Sequence, residues 1–244
     1  KRQIQGPSLT ITTACAASAN AIGEAKRMIE QNIVDKVLVG GTESGTTSMT
    51  IGAFAQIKAL SKQNDEPQKA CKPFDKNRDG FVMAEGSTVL ILESESSAKD
   101  RDAKIYGYIS GYGSSTDAYH ITAPSEGGVG ALRAMEQAIS NADISKEKID
   151  YINAHGTSTP ANDLNETLAI KSLMNDYAYE VNISSTKSMT GHLLGGGGAF
   201  EAMASLLSMK NSLIPPTINL NDSDEDCDLN YTANHSIEKN IDHA

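Results

Sequence analysis

Two spacings of apolar positions run through this chain. Short runs rich in β-branched or aliphatic residues read as strands: Ser8-Leu-Thr-Ile-Thr-Thr13, Val37-Leu-Val39, Thr88-Val-Leu-Ile-Leu92, Lys104-Ile-Tyr-Gly-Tyr-Ile109, Ile149-Asp-Tyr-Ile152 and Val181-Asn-Ile-Ser184. Between them the spacing becomes helical. An alanine-rich pattern starting near Ala16 places Ala21, Ile22, Ala25, Met28 and Ile29 on one side, and another helical pattern begins near Asp163. A third, from Ala199 to Lys210, gathers Phe200, Met203, Ala204 and Leu207. The charged stretch Glu93 to Arg101 separates the strand-like runs on either side of it. Strands alternating with amphipathic helices predict α/β layering. The order strand, reactive residue, small-residue turn and helix occurs around Cys15 and again around His192, which suggests two related halves.

Composition narrows the class. The 244 residues are 39% hydrophobic and 21% charged, ordinary for a globular enzyme with a substantial core. No apolar run approaches the roughly 20 residues that cross a bilayer, so no membrane association is expected. Three cysteines without a secretory leader argue against a disulfide framework and for a reducing compartment. Cys71 and Cys227 read as incidental. The protein is expected in the cytoplasm, or in an organelle if a transit peptide has been removed. A net charge of −10 without a basic stripe disfavours nucleic acid. Asp75, Arg78 and Asp79 read as an ordering salt-bridge loop, no metal is expected, and the glycine run lacks the ending of a phosphate loop.

Candidate chemistry begins at Cys15, between a strand-like run and a helix start. Unsatisfied N–H groups there stabilise thiolate and are expected to bring a thiol below its ordinary pKa of about 8.5. Alone, such a cysteine reads first as a small buried core residue, since free Cys is among the most buried residue types. Two histidine segments change that reading: Asn153-Ala-His155-Gly-Thr-Ser-Thr-Pro160 and Ser185-Thr-Lys187-Ser-Met-Thr-Gly-His192 each follow a strand-like run and precede a helix. Three reactive side chains at strand ends suit a site built from loops at one sheet edge.

With these letters in view, the chain resembles the β-ketoacyl-acyl carrier protein synthases, specifically the elongating condensing enzymes of type II fatty acid synthesis. Thr13-Ala-Cys15-Ala-Ala-Ser18 resembles the nucleophile motif and Lys72-Pro-Phe-Asp-Lys-Asn-Arg-Asp-Gly-Phe81 a characteristic loop, and the two histidine segments complete a Cys-His-His set. Thiolases would show a second cysteine, and initiating synthases an asparagine for one histidine. The resemblance implies the thiolase-like fold, layered α-β-α-β-α, with 1–98 the remainder of the half that carries the nucleophile and 99–244 the half that carries both histidines. It implies a homodimer as well.

The implied activity is decarboxylative Claisen condensation of malonyl-acyl carrier protein with a Cys15-bound acyl group, with His155 and His192 as neutral donors to the enolate oxygen. Lys187 and Glu201 match a family lysine and glutamate and are expected to pair and support the histidines. Thr157 and Thr159 match threonines that bind the phosphopantetheine arm. Lys58 and Lys62 are expected to dock the acidic carrier protein. No cofactor is expected beyond the phosphopantetheine that carries the substrate. A noncatalytic or decayed synthase-like subunit that partners an active ketosynthase is the alternative, although such subunits typically lack the cysteine, and a thioester hydrolase or plain acyltransferase is a third reading.

Some letters depart from the family pattern. Asn162 and Ala84 stand where glycine is usual, and Gly195-Gly-Gly-Gly198 is expected to loosen the chain near His192. Measured against the family, the chain is expected to lack most of the first half and the last strands, including a loop that supplies one oxyanion donor. Loss of such a donor typically costs on the order of 10² to 10³ in rate, so these 244 residues alone are expected to be inactive.

Overall fold

A computed structural model describes residues 4–244. Helices and short strands follow one another as α1 (Ala17–Glu30), β1 (Lys36–Glu43), α2 (Ser48–Gln56), β2 (Gly86–Glu93), α3 (Glu95–Asp100), α4 (Val129–Ala142), β3 (Tyr151–Asn153), α5 (Pro160–Met174), β4 (Asn182–Ser184), α6 (Lys187–Thr190), α7 (Gly197–Asn211), β5 (Leu213–Ile214) and β6 (Ile237–Glu238). A 3-10 turn, Ala14–Ala16, leads into α1.

β1 and β2 pair antiparallel, from Lys36 opposite Glu93 to Glu43 opposite Gly86. Their inward side chains, Val37, Val39, Leu90 and Leu92, meet Ile22 and Ala25 of α1 and Ala199 of α7 in one core. Each aliphatic side chain removed from water there contributes about 1.5–3 kcal/mol. β3 and β4 run parallel, Tyr151 opposite Asn182 and Asn153 opposite Ser184, and α5 connects them. That unit packs Ile170, Met174, Val181 and Ile183 against Phe74 and Tyr231, whose rings stack with centroids 3.8 Å apart.

Several expectations need correction. Ser8–Thr13 and Lys104–Ile109 join no β-ladder among the described residues. Their composition favours extended backbone, but a strand exists only when a neighbour supplies its hydrogen bonds. α5 starts at Pro160, earlier than Asp163, because proline suits a first helical turn. In α7 the large side chains do not form the buried face: Leu207 is exposed, while Gly197, Ala199 and Ser208 are buried. The helix is apolar on most sides, and its small residues allow the closest approach to its neighbours.

The loop 72–81 is ordered, but by partners other than those expected. Arg78 reaches Asp224 at 2.5 Å and Asp163 at 3.6 Å, and it donates to the Asp75 carbonyl at 2.9 Å. The Asp75 carboxylate accepts the backbone N–H groups of Asn77, Asn221 and Asp222, and Asp79 accepts from Ser61 and Lys62. Arg78 therefore fastens the loop to α5 and to the C-terminal segment. Neither Asn162 nor Ala84 has a positive φ, so neither position requires glycine.

The glycine run is not a loose segment either. A Cβ on Gly198 would lie 2.8 Å from both the backbone nitrogen and the Cβ of Ala19, so α1 and α7 touch through this position. Gly198→Ala is expected to lower stability by about 1–3 kcal/mol in urea unfolding, as overpacking does. Gly197→Ala is the control, because its added Cβ meets nothing nearer than His192 Nδ1 at 4.0 Å. It is expected to be neutral or to stabilise by up to about 1 kcal/mol through helix propensity.

Candidate active site

Cys15 is the middle residue of the turn that opens α1. The preceding residue, Ala14, has φ 51°, an uncommon conformation for a residue with a Cβ, and it makes the entry to the helix sharp. His155 follows β3 and His192 follows α6, just after β4. Gly156 joins these two loops. Its φ is 38°, and a Cβ there would lie 2.5 Å from Cβ of Ser185, whose hydroxyl donates to the Gly156 carbonyl at 2.7 Å.

The result brings Cys15, His155 and His192 together, with one donor atom from each lying within 4.8 Å of the others. The imidazole centroids are 5.2 Å apart and the rings nearly perpendicular, at 85°. His192 Nε2 sits 3.1 Å from Cys15 Sγ. The Leu194 N–H donates to His192 Nδ1 at 3.2 Å. Nδ1 is therefore an acceptor, and the ring proton resides on Nε2, directed at the sulfur. A cation held by all three residues would require that proton to move to Nδ1, where it would face the Leu194 N–H. The arrangement thus favours hydrogen-bond donation to an anion over metal ligation.

The loop around Phe81 fixes His192 from the other side. The His192 N–H donates to the Val82 carbonyl at 2.7 Å, the Ala84 N–H donates to the His192 carbonyl at 3.0 Å, and the Phe81 ring lies edge-on to the imidazole with centroids 5.2 Å apart. His155 is placed by Glu166, on α5, whose carboxylate accepts the His155 N–H at 2.6 Å and the Gly156 N–H at 2.7 Å. Sequence reasoning missed Glu166. The available signal was an acidic residue in the second turn of the helix that directly follows a reactive histidine loop.

Lys187 opens α6, is buried, and forms an ion pair with Glu201 of α7, as expected. Its charge reaches the whole cluster. Burial, then the Lys187 ammonium, pushes His192 down to about 3. Burial, Lys187 and the neighbouring His192 hold His155 well below the ordinary histidine range. Both rings are accordingly neutral near pH 7.

Cys15 corrects the expectation of a lowered thiol. Burial raises its pKa and outweighs Lys187 and the helix-start N–H, while Glu201 and Glu43 push in the same direction as burial. At rest the group is mainly thiol. Cys71, buried and pushed up to about 12, is inert and donates to the Lys187 carbonyl at 3.0 Å.

Thr157 and Thr159 have their hydroxyls 2.8 Å apart beside His155. Lys58 and Lys62 lie in the exposed stretch after α2 and make no ion pair among the described residues. They are not brought into the cluster. No helix among the described residues is long and apolar enough to cross a membrane.

Residues 1–98 match the model of the beta-ketoacyl synthase N-terminal domain and residues 106–221 that of its C-terminal domain. The chain is 51% identical to a 3-oxoacyl-[acyl-carrier-protein] synthase 2 of Synechocystis over 95% of its own length and 56% of the relative's. It is 48% identical to the synthase of the same name from Coxiella burnetii, over 99% and 58%. Among solved structures it resembles a type II polyketide ketosynthase in complex with its acyl-carrier protein, with TM-score 0.94 and 40% identity over 96% of this chain and 58% of that one. A beta-ketoacyl synthase from Burkholderia phymatum superposes with TM-score 0.89 and 37% identity over 95% and 55%. The chain spans a little more than half the length of the curated relatives it matches.

The depressed histidine gives a sign-definite prediction. Between the ordinary value of 6.5 and about 3, the unfolded chain takes up a proton that folded His192 refuses, so this residue's contribution to stability falls as pH falls. The raised carboxylates Asp163, Glu166 and Glu201 act in the opposite sense. A His192→Gln variant keeps those carboxylates, so the comparison isolates the histidine. In urea unfolding, the stability of the unsubstituted protein relative to this variant is expected to decline from about pH 7 to about pH 4 by up to about 1.4 kcal/mol per pH unit.

Proposed function

The chain belongs to the β-ketoacyl synthase family, and we propose from that premise that the protein lengthens acyl chains by decarboxylative condensation on acyl carrier protein. The observation that carries this reading is the Cys15–His155–His192 cluster, with two neutral imidazoles and the His192 proton on Nε2. A hydrolase or plain acyltransferase has no need of two such donors beside its nucleophile. A noncatalytic subunit has no need of the nucleophile itself.

The reaction proceeds in two stages. The small thiolate fraction of Cys15, favoured by Lys187, the helix-start N–H and the His192 Nε2–H, attacks the thioester carbonyl of an acyl-phosphopantetheine arm. The acyl group passes to Cys15 and the carrier thiol leaves with a proton. Malonyl thioester then enters, with Thr157 and Thr159 offering hydroxyls to the arm's amides. Its bond to the carboxylate breaks, CO₂ leaves, and the electron pair passes to the thioester enolate. His155 and His192 donate to the enolate oxygen, a charge that neutral, fixed donors stabilise without adding a competing proton. The enolate carbon attacks the Cys15 acyl carbon, expels the thiolate and gives a 3-oxoacyl product two carbons longer.

Glu166, through two backbone N–H groups, and the Lys187–Glu201 pair hold the histidines in place. The acidic carrier protein docks at Lys58 and Lys62, two exposed cations that have no ion pair among the described residues. The likeness to 3-oxoacyl-[acyl-carrier-protein] synthases supports fatty acid elongation as the pathway, and a homodimer working in the cytoplasm is part of the same proposal.

Measurements on the native full-length protein test this reading. With an acyl carrier protein loaded with a fatty acyl chain, intact-mass spectrometry is expected to show one acyl adduct per chain, absent in Cys15→Ser. His192→Gln is expected to keep the adduct and lose on the order of 10² to 10³ in condensation rate, the usual effect of removing one anion donor. A product with no added carbons would replace condensation by simple transfer or hydrolysis. Lys58→Glu is expected to raise KM for the carrier protein several-fold with kcat unchanged. An unchanged KM removes Lys58 from the docking surface.

A further inference from the structure

β1 ends in Glu43, a half-buried acid whose carboxylate points into the turn behind His192. Its Oε2 accepts the Gly195 N–H at 3.3 Å. A Cβ on Gly195 would lie 3.4 Å from that same oxygen and 3.6 Å from the Ala14 carbonyl. The carboxylate thus shares one small gap with the turn preceding Cys15 and the turn following His192. Leu194, next to Gly195, has φ 47°, and its N–H is the group that sets the His192 tautomer. Glu43 makes no ion pair among the described residues, whereas Glu201, the other carboxylate acting on Cys15, is neutralised by Lys187.

We propose that Glu43 is a positioning residue of this site, its carboxylate holding the Gly195 N–H and with it the Leu194–Gly195 turn, in the gap beside the turn that carries Cys15. The proposal rests on the reading of Cys15 as the nucleophile. Its geometry gives Glu43 two separable effects. As an acceptor it steadies the left-handed turn and with it the Nε2–H donor. As a charge it opposes the thiolate, in the same direction as burial does. A site that keeps its sulfur protonated until a thioester arrives exposes little thiolate to oxidants and alkylating agents, since the thiolate is the reactive form.

Substitution separates the two effects. Glu43→Gln keeps an acceptor for the Gly195 N–H and removes the charge, Glu43→Asp keeps the charge and shortens the reach, and Glu43→Ala removes both. The rate of alkylation by iodoacetamide against pH, read by intact mass, reports the Cys15 thiol directly, with Cys15→Ser locating the label. Glu43→Gln is expected to move the midpoint down. Glu43→Asp is expected to keep the original midpoint and lose condensation rate, and Glu43→Ala to lower the midpoint and lose more than about tenfold in kcat. An unchanged midpoint in both Glu43→Gln and Glu43→Ala would overturn the electrostatic part, and full condensation by Glu43→Ala the positioning part. Alkylation of Cys71 or Cys227 in place of Cys15 would instead overturn the nucleophile reading, and Glu43 with it.

Discussion

The buried ammonium of Lys187 organises the charge of this site. A lone cation so far from water would cost several kcal/mol, and Glu201 on α7 offsets that cost through a direct ion pair. The same charge disfavours protonation of His155 and His192 and favours a thiolate on Cys15. Its influence therefore has one sign throughout: anions are welcomed and further cations are refused. Such a site suits chemistry in which negative charge moves from sulfur to an enolate oxygen while the imidazoles stay neutral.

Charge alone does not aim a proton. The His192 Nε2–H points at sulfur because Leu194 occupies Nδ1, and Leu194 can do so because its backbone adopts φ 47°. Ala14 adopts φ 51° on the other side of the gap. Each such conformation costs on the order of 1–3 kcal/mol and persists only where the surroundings over-determine it. Here the surroundings are the Val82 and Ala84 backbone bonds to His192, the Phe81 ring, Gly195 on Glu43, and the Ser185–Gly156 contact that joins the two histidine loops. Strain and restraint meet at the three reactive residues, so the site behaves as one preorganised unit.

Much of the layout was legible in the letters. Val37–Val39 and Thr88–Leu92 lie within β1 and β2, and Tyr151 and Val181 border the parallel pair, because alternation and β-branching speak directly to local backbone preference. The helical face of α1 was read correctly at Ile22, Ala25 and Met28. The reading failed where partners decide the outcome. Ser8–Thr13 and Lys104–Ile109 have strand composition without a ladder, and α7 buries its small residues in place of its large ones.

The sequence by itself determined which groups are available and roughly where each stands: a thiol at a helix start, two imidazoles after strands, a lysine and a glutamate beside them, and an α/β alternation to carry them. Those are properties of single residues and short windows. The tertiary structure decided what those groups are. Burial made Cys15 a thiol at rest where the helix start alone argued for thiolate, because the loss of water outweighs a helix terminus and a nearby ammonium. The left-handed backbone at Leu194, which turns its N–H onto His192, and the contacts of Glu166 with His155 and of Glu43 with Gly195 set tautomer and aim. Hydrogen-bond direction and local dielectric depend on neighbours brought in from elsewhere in the fold, and no local pattern of residues specifies them.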